Sequence, residues 1–206
     1  YGVQQTEVSN QELLGSSVKI DTYDGYKIVT IPQKLSNGRR IVPHVALTSS
    51  TVGGNDTMSA LSYANLKGYS VVINGGLFNT QTKVPQGQTI INGISITNSP
   101  MTDDMGTSIS DEECYPLTCN KYGVLSTPYT RTIDTSTMIS NGVVGAVTGW
   151  ITLIENGVRK YANYSTVEIV HTGAPSRQVI GQYEDGDYFI FTTTSQDRTG
   201  MTYDAI

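Results

Sequence analysis

Charge is scarce in this sequence. Only 15% of its 206 residues are Asp, Glu, Lys or Arg, and 13 basic against 18 acidic side chains leave a net charge of −5. A nucleic-acid binder carries a basic face or stripe. Here the one tight basic pair is Arg39-Arg40, beside an Asn37-Gly38 that reads as a turn. Nucleic acid is therefore not an expected partner. A substrate carrying phosphate would have to be met by a few placed arginines rather than by a general positive field. Long apolar runs are missing as well. No stretch of 18 apolar residues occurs, so no membrane-spanning helix and no membrane partner are expected. Histidine and cysteine number two each. His44 and His171 suggest no zinc spacing with Cys114 and Cys119. Asp103-Asp104 and Asp185 follow no calcium-loop pattern, so neither a metal nor a cofactor is expected. The cysteines, in Glu113-Cys-Tyr-Pro-Leu-Thr-Cys-Asn120, leave two readings open: a disulfide closing a small loop, or two free thiols in a loop.

What the chain does have is β-forming material. Hydrophobic residues make up 37%, enough for one core, and Val, Ile, Thr and Tyr dominate among the strand formers. The 13 tyrosines against three phenylalanines suggest half-buried strand positions and a sugar-facing surface. Residues 1–17 are polar and read as an arm or linker. Val18–Tyr23 and Tyr26–Ile31 flank Asp24-Gly25, a hairpin signal. Ile41–Leu47 reads as a strand that Pro43 places at an edge or bulge. Asp56 is positioned to cap a helix over 57–67, with Met58, Leu61, Ala64 and Leu66 on its apolar face and Gly68 at its end. Tyr69–Ile73 reads as a buried strand, so this helix should pack on a sheet. Asn92-Gly93 between Ile90-Ile91 and Ile94–Ile96 is another hairpin signal. Residues 98–122 read as a long excursion over the sheet and a wall of the site. Further strands are expected at Trp150–Ile154, Thr166–Val170, Gln178–Ile180 and Tyr188–Thr192, with turns at Glu155–Gly157 and Asp185-Gly186. Glu168 alternates with Val167 and Ile169 and should face solvent.

Four segments then occur in one order: Val71-Val-Ile-Asn-Gly-Gly-Leu-Phe-Asn79, Gly145-Ala-Val-Thr-Gly-Trp-Ile-Thr-Leu-Ile-Glu-Asn-Gly157, Ser176-Arg-Gln-Val-Ile-Gly181 and Asp197-Arg-Thr-Gly-Met-Thr202. Together they resemble the phosphodiester glycosidase family, with its "NGG.F", "G..P.L..DG", "PRTAIG" and "DGR…GMT" stretches. The resemblance covers roughly residues 18–206. Two departures stand out. Trp150 occupies the usual proline position, and Gln196-Asp197-Arg198 lacks the glycine between aspartate and arginine.

The resemblance implies one α+β domain over 18–206, a mixed or antiparallel sheet with few helices, whose segment ends converge in one cleft. It implies hydrolysis of a glycosyl phosphodiester bond in a sugar–phosphate conjugate or cell-surface polymer. Such cleavage builds positive charge on the anomeric carbon and negative charge on the leaving phosphate. A carboxylate is needed for the former and forked guanidinium groups for the latter. Asp197 is the candidate carboxylate, and Arg177 and Arg198 the candidate fork. Asn74, the Gly75-Gly76 backbone, Phe78, Gly149 and Thr202 are the candidate substrate contacts, because glycine lets backbone N–H groups approach an anion closely.

Each has a plainer reading beside this one. Asn74–Gly76 can be a tight turn after a strand, and Arg177 a buried structural arginine. Asp197-Arg198 can be a surface turn, Thr202 a helix cap, and Phe78 a core residue. His171, at a strand end, is a candidate general acid or a structural histidine. A non-catalytic carbohydrate-binding or structural module of a phage tail or cell-surface protein is the rival function. The abundance of Ser, Thr, Asn and Gly points to an extracellular or virion setting. The start without Met and the stop at Ile206 predict a piece of a longer polypeptide, completed by a second chain or fragment.

Overall fold

A computed structural model describes residues 11–54, 57–99, 115–130, 132–160 and 177–193, with Trp150 described through its backbone. The architecture is α+β, with antiparallel strand pairing and few, short helices. The chain divides into two compact units, one of Tyr1–Ile41, Gly68–Val71 and Ser165–Ile206, the other of Val42–Lys67 and Val72–Tyr164.

In the first unit, residues 11–17 form helix α1, within the segment that the sequence suggests as an arm or linker. Leu14 of α1 is buried. The Ser70 N–H donates to the Gln11 side-chain oxygen at 2.9 Å, and the Ser70 hydroxyl to the Gln11 carbonyl at 2.6 Å. Strands β1 (Lys19–Tyr23) and β2 (Tyr26–Ile31) form the expected hairpin, with Gly25 at φ +81°. Strands β10 (Gln178–Gln182) and β11 (Tyr188–Thr193) form another around Asp185-Gly186, with Gly186 at φ +98°. The sheet order is β1-β2-β11-β10. Period-two alternation along β11 puts Tyr188 and Ile190 on the core face, where Ile31 faces Tyr188 in the register. The Tyr188 hydroxyl, otherwise costly to bury, donates to the Ile41 carbonyl at 3.0 Å.

The second unit is built on β3 (Gln88–Ile91), β4 (Ile94–Asn98), β5 (Tyr115–Asn120), β6 (Leu125–Ser126) and β7 (Val143–Trp150), in the order β4-β3-β7-β5-β6. Asn92 at φ 51° and Gly93 at φ 74° make the tight turn that the Asn-Gly pair predicts. The same pairing recurs at Asn156-Gly157, φ 51° and 73°, between β8 (Ile154–Glu155) and β9 (Val158–Arg159). Helix α3 (Thr135–Ser140) lies on the sheet, and its Met138 joins Ile90, Val143 and Ala146 in the core. Asp134 caps α3 through the Ser136 N–H at 2.7 Å, which holds its carboxyl below the usual range.

Several expectations are corrected. The segments 41–47 and 69–73 do not form strands. None of their apolar residues is fully buried, and among the described residues no strand pairs with them in a ladder. Helix α2 (Ala60–Lys67) is shorter than 57–67, and Ser59 caps it by accepting the Ser62 N–H at 3.1 Å. Asp56 lies outside the described residues. Gly68 ends α2 as expected, at φ +68°, but Leu61 and Leu66 are 72% and 65% exposed. The helix that packs on a sheet is α3 instead.

Within 98–122, residues 115–120 are no excursion but the inner strand β5. Pro116 is tolerated there because the register shifts between Tyr115 and Pro116, which frees the position from donating. Of the two readings left open for the cysteines, the free thiol holds for Cys119, which lies in this extended strand. Cys119 is a free, buried thiol, while Cys114 lies outside the described residues, as does the expected strand 166–170.

Burial raises the Cys119 pKa to about 11. A raised folded-state pKa contributes stability below the ordinary thiol range that is lost as pH climbs through about 11. In a Cys114→Ser variant at pH 8, iodoacetamide should leave the native protein unlabelled and modify Cys119 rapidly in denaturant. Equal labelling rates in both states would contradict the buried placement.

Candidate functional site

The first two signature segments meet in the second unit. The chain after Ile73 leaves Asn74 and Gly75 exposed, then docks onto the end of β7. The Leu77 N–H donates to the Thr148 carbonyl at 2.9 Å, and the Gln86 N–H to the Leu77 carbonyl at 3.0 Å. Between these bonds, Phe78 and Pro85 form an isolated bridge. The Asn79 side-chain oxygen closes the tip by accepting the Gln81 and Thr82 N–H groups at 2.9 and 2.8 Å, the self-bonding that suits asparagine to turns. Phe78 is 45% exposed, with the Lys83 ammonium 6.0 Å from its ring centre. It is therefore a surface ring rather than a core residue.

Glycine at three points allows this contact. A Cβ on Gly76 would lie 2.6 Å from the Thr148 carbonyl oxygen, one on Gly87 2.6 Å from the Thr148 side chain, and one on Gly149 2.6 Å from Leu77 Cγ. Gly149 also takes φ +112°, where side chains are strained. Gly75 differs, since a Cβ there meets nothing within 4 Å. Gly76 and Gly149 thus hold the segments together, while Asn74 and Gly75 present the open edge of the turn.

Thr148 and Gln88, which sequence reasoning did not single out, anchor the arrangement from beneath. The buried Thr148 hydroxyl accepts the Gln88 N–H at 2.9 Å and lies 3.0 Å from the Gln88 carbonyl and 3.1 Å from its side-chain oxygen. The Gln88 amide nitrogen donates to the Ile133 carbonyl at 3.0 Å. A polar pair this buried is tolerable only when satisfied. The signal was the Gln86-Gly87-Gln88 triplet opening a strand, where apolar residues are the norm.

The third segment belongs to the first unit. Arg177 immediately precedes β10 and is half-buried. Its N–H donates to the Thr193 hydroxyl at 2.8 Å, and its carbonyl accepts the Thr193 N–H at 3.0 Å. Gly181 lets the Phe189 ring lie on the backbone, since a Cβ there would come 2.2 Å from the ring. Asp197, Arg198 and Thr202 of the fourth segment, and His171, lie outside the described residues. Among the described residues no three His, Cys, Asp or Glu side chains gather where a metal ion would sit, and no helix is long and apolar enough to cross a membrane.

A family model described as phosphodiester glycosidase matches residues 67–206, which contain all four signature segments. The chain belongs to the phosphodiester glycosidase family. Among solved structures it is similar to the zebrafish N-acetylglucosamine-1-phosphodiester alpha-N-acetylglucosaminidase catalytic domain, auto-inhibited by its pro-peptide. That likeness has 22% identity and a TM-score of 0.44, and covers 63% of this chain and 43% of the zebrafish one. The chain thus spans less than half the length of that relative. No curated protein matches it. The match begins within α2, so β1 and β2 lie outside the stretch that the family model covers.

Proposed function

We propose that this domain hydrolyses a glycosyl phosphodiester, in a sugar–phosphate conjugate or a cell-surface polymer. The observation that carries the reading is the family match over residues 67–206, with its four segments in order. Water attacks the anomeric carbon and the bond from that carbon to the phosphate oxygen breaks. The electron pair leaves on the phosphate, and the proton lost by water passes to a carboxylate. Asp197 serves as that carboxylate and faces the cationic transition state. Arg177 and Arg198 neutralise the departing phosphate, where each guanidinium can bond two oxygens. Asn74 and the Gly75-Gly76 backbone orient the ligand, Phe78 offers a ring to the sugar, and Gly149 and Thr202 shape the contact. The low charge and the wealth of Ser, Thr, Asn and Gly favour work outside the cytoplasm, at a cell surface or on a phage tail.

The compacted Gln196-Asp197-Arg198 favours a second reading, a module that binds such a polymer without cutting it. Incubation with a chromogenic glycosyl-phosphate diester and with purified wall polymer separates the two. The hydrolase releases chromophore in proportion to enzyme and time, and Asp197→Asn stops the release. Retention on polymer with no release from either substrate would support the binding module and end the catalytic reading.

A further inference from the structure

Strand β1 ends the sheet of the first unit, and among the described residues no strand pairs with its other edge. In a two-residue hairpin the pair flanking the turn is hydrogen-bonded, and bonded and non-bonded pairs then alternate along the ladder. Tyr23–Tyr26, Asp21–Ile28 and Lys19–Thr30 are therefore the bonded pairs. The N–H and carbonyl groups of Ile20 and Thr22 point to the outer edge, where another strand can meet them.

The side chains along that edge are self-complementary. Ile20 ends an apolar row across the sheet, in which Ile180 lies opposite Ile190, Ile190 opposite Val29 and Val29 opposite Ile20. Ile190 is buried, yet Ile20 is 61% exposed. Lys19 and Asp21 flank Ile20 with opposite charges and share the other face of the strand. Neither has an ion-pair partner among the described residues.

We propose that β1 is a self-association edge, on which a second copy of this chain pairs antiparallel about a twofold axis through Ile20. Bonded pairs across the new edge must join outward-pointing residues, which leaves three registers centred within β1. Ile20 opposite Thr22 sets Asp21 against the partner's Asp21, and like charges directly opposed are destabilising. Thr22 opposite Thr22 sets Ile20 against the turn residue Asp24, where the strand has already ended. Ile20 opposite Ile20 sets each Lys19 against the partner's Asp21 and joins the two apolar rows into one. An isologous contact of this kind satisfies both chains with the same residues. Lys19 and Asp21 thus deter strands of arbitrary sequence and match a second copy. These residues precede the family-matched stretch 67–206, so the association is independent of the hydrolase reading.

Two five-residue strands make a small interface, so the dimer should form and dissolve with concentration. Sedimentation equilibrium of the whole chain up to about 1 mM reads it, because a complex of about millimolar Kd has half its chains paired there. Lys19→Asp and Asp21→Lys should each weaken the dimer about tenfold, although they change the net charge in opposite directions. The double variant Lys19→Asp/Asp21→Lys should restore it. An equimolar mixture of the two single variants should also dimerise, since each then supplies the charges that the other lacks. Circular dichroism should show every variant folded. A chain that stays monomeric throughout the range overturns the inference. So does association that the double variant fails to restore, which would set Asp21 against the partner's Asp21. Association equal in all variants overturns it too, by placing another surface between the copies.

Discussion

Gly149→Ala should lower the stability of the second unit by about 2–5 kcal/mol, the sum of a strained backbone and an overpacked contact. The new Cβ would sit at φ +112° and 2.6 Å from Leu77 Cγ, with Leu77 Cδ1 and N both 3.1 Å away. Leu77 cannot yield freely, because its N–H is held by the Thr148 carbonyl at 2.9 Å. Relief therefore requires either breaking that bond or bending β7 beside the buried Thr148. Gly76→Ala meets the same joint from the other side, 2.6 Å from the Thr148 carbonyl oxygen, and should cost a similar amount. Gly75→Ala is the internal comparison. With open space around it, the change should stay within about 0.5 kcal/mol. Urea midpoints measured for the three variants decide the matter. Equal midpoints for Gly75→Ala and Gly149→Ala would mean that the joint between the two signature segments is absent.

That contrast shows how far the sequence could be read. Asn74-Gly75-Gly76 and Gly149 were all singled out as substrate contacts. The glycines have separate duties that spacing cannot reveal, since close approach depends on what stands opposite, here Thr148 and Leu77. Turns were legible wherever the cause was local. Asp24-Gly25, Asn92-Gly93, Asn156-Gly157 and Asp185-Gly186 each place glycine at positive φ. Elements that depend on distant partners were less legible. The apolar runs at 41–47 and 69–73 look like strands, yet strand formation needs a neighbour with free backbone groups. Strand β5 was hidden because Pro116 and the cysteines look like loop punctuation, while its partner β7 lies far along the chain. Helix α3 is too short for a period to show, and its signature was the Asp134 cap. The family was legible from motif order, which survives where individual elements are misread.

Arg177→Ala should reduce turnover of a glycosyl-phosphate diester by about a hundredfold or more, the scale of losing a charge-stabilising donor, with the protein still folded. The fold should survive because Arg177 joins the sheet through its backbone. The N–H and carbonyl groups that pair with Thr193 remain after truncation. The loss should fall mainly on kcat, because charge on the phosphate rises as the glycosidic bond breaks and the guanidinium binds that state better than the ground state. Arg177→Lys keeps the charge but not the two-pronged geometry, so it should recover only part of the rate. Free guanidinium added to Arg177→Ala should restore some turnover if the missing group acts on the phosphate, and none if Arg177 only braces the start of β10. Unchanged kcat in a folded Arg177→Ala would remove this residue from the chemistry and leave the phosphate to Arg198.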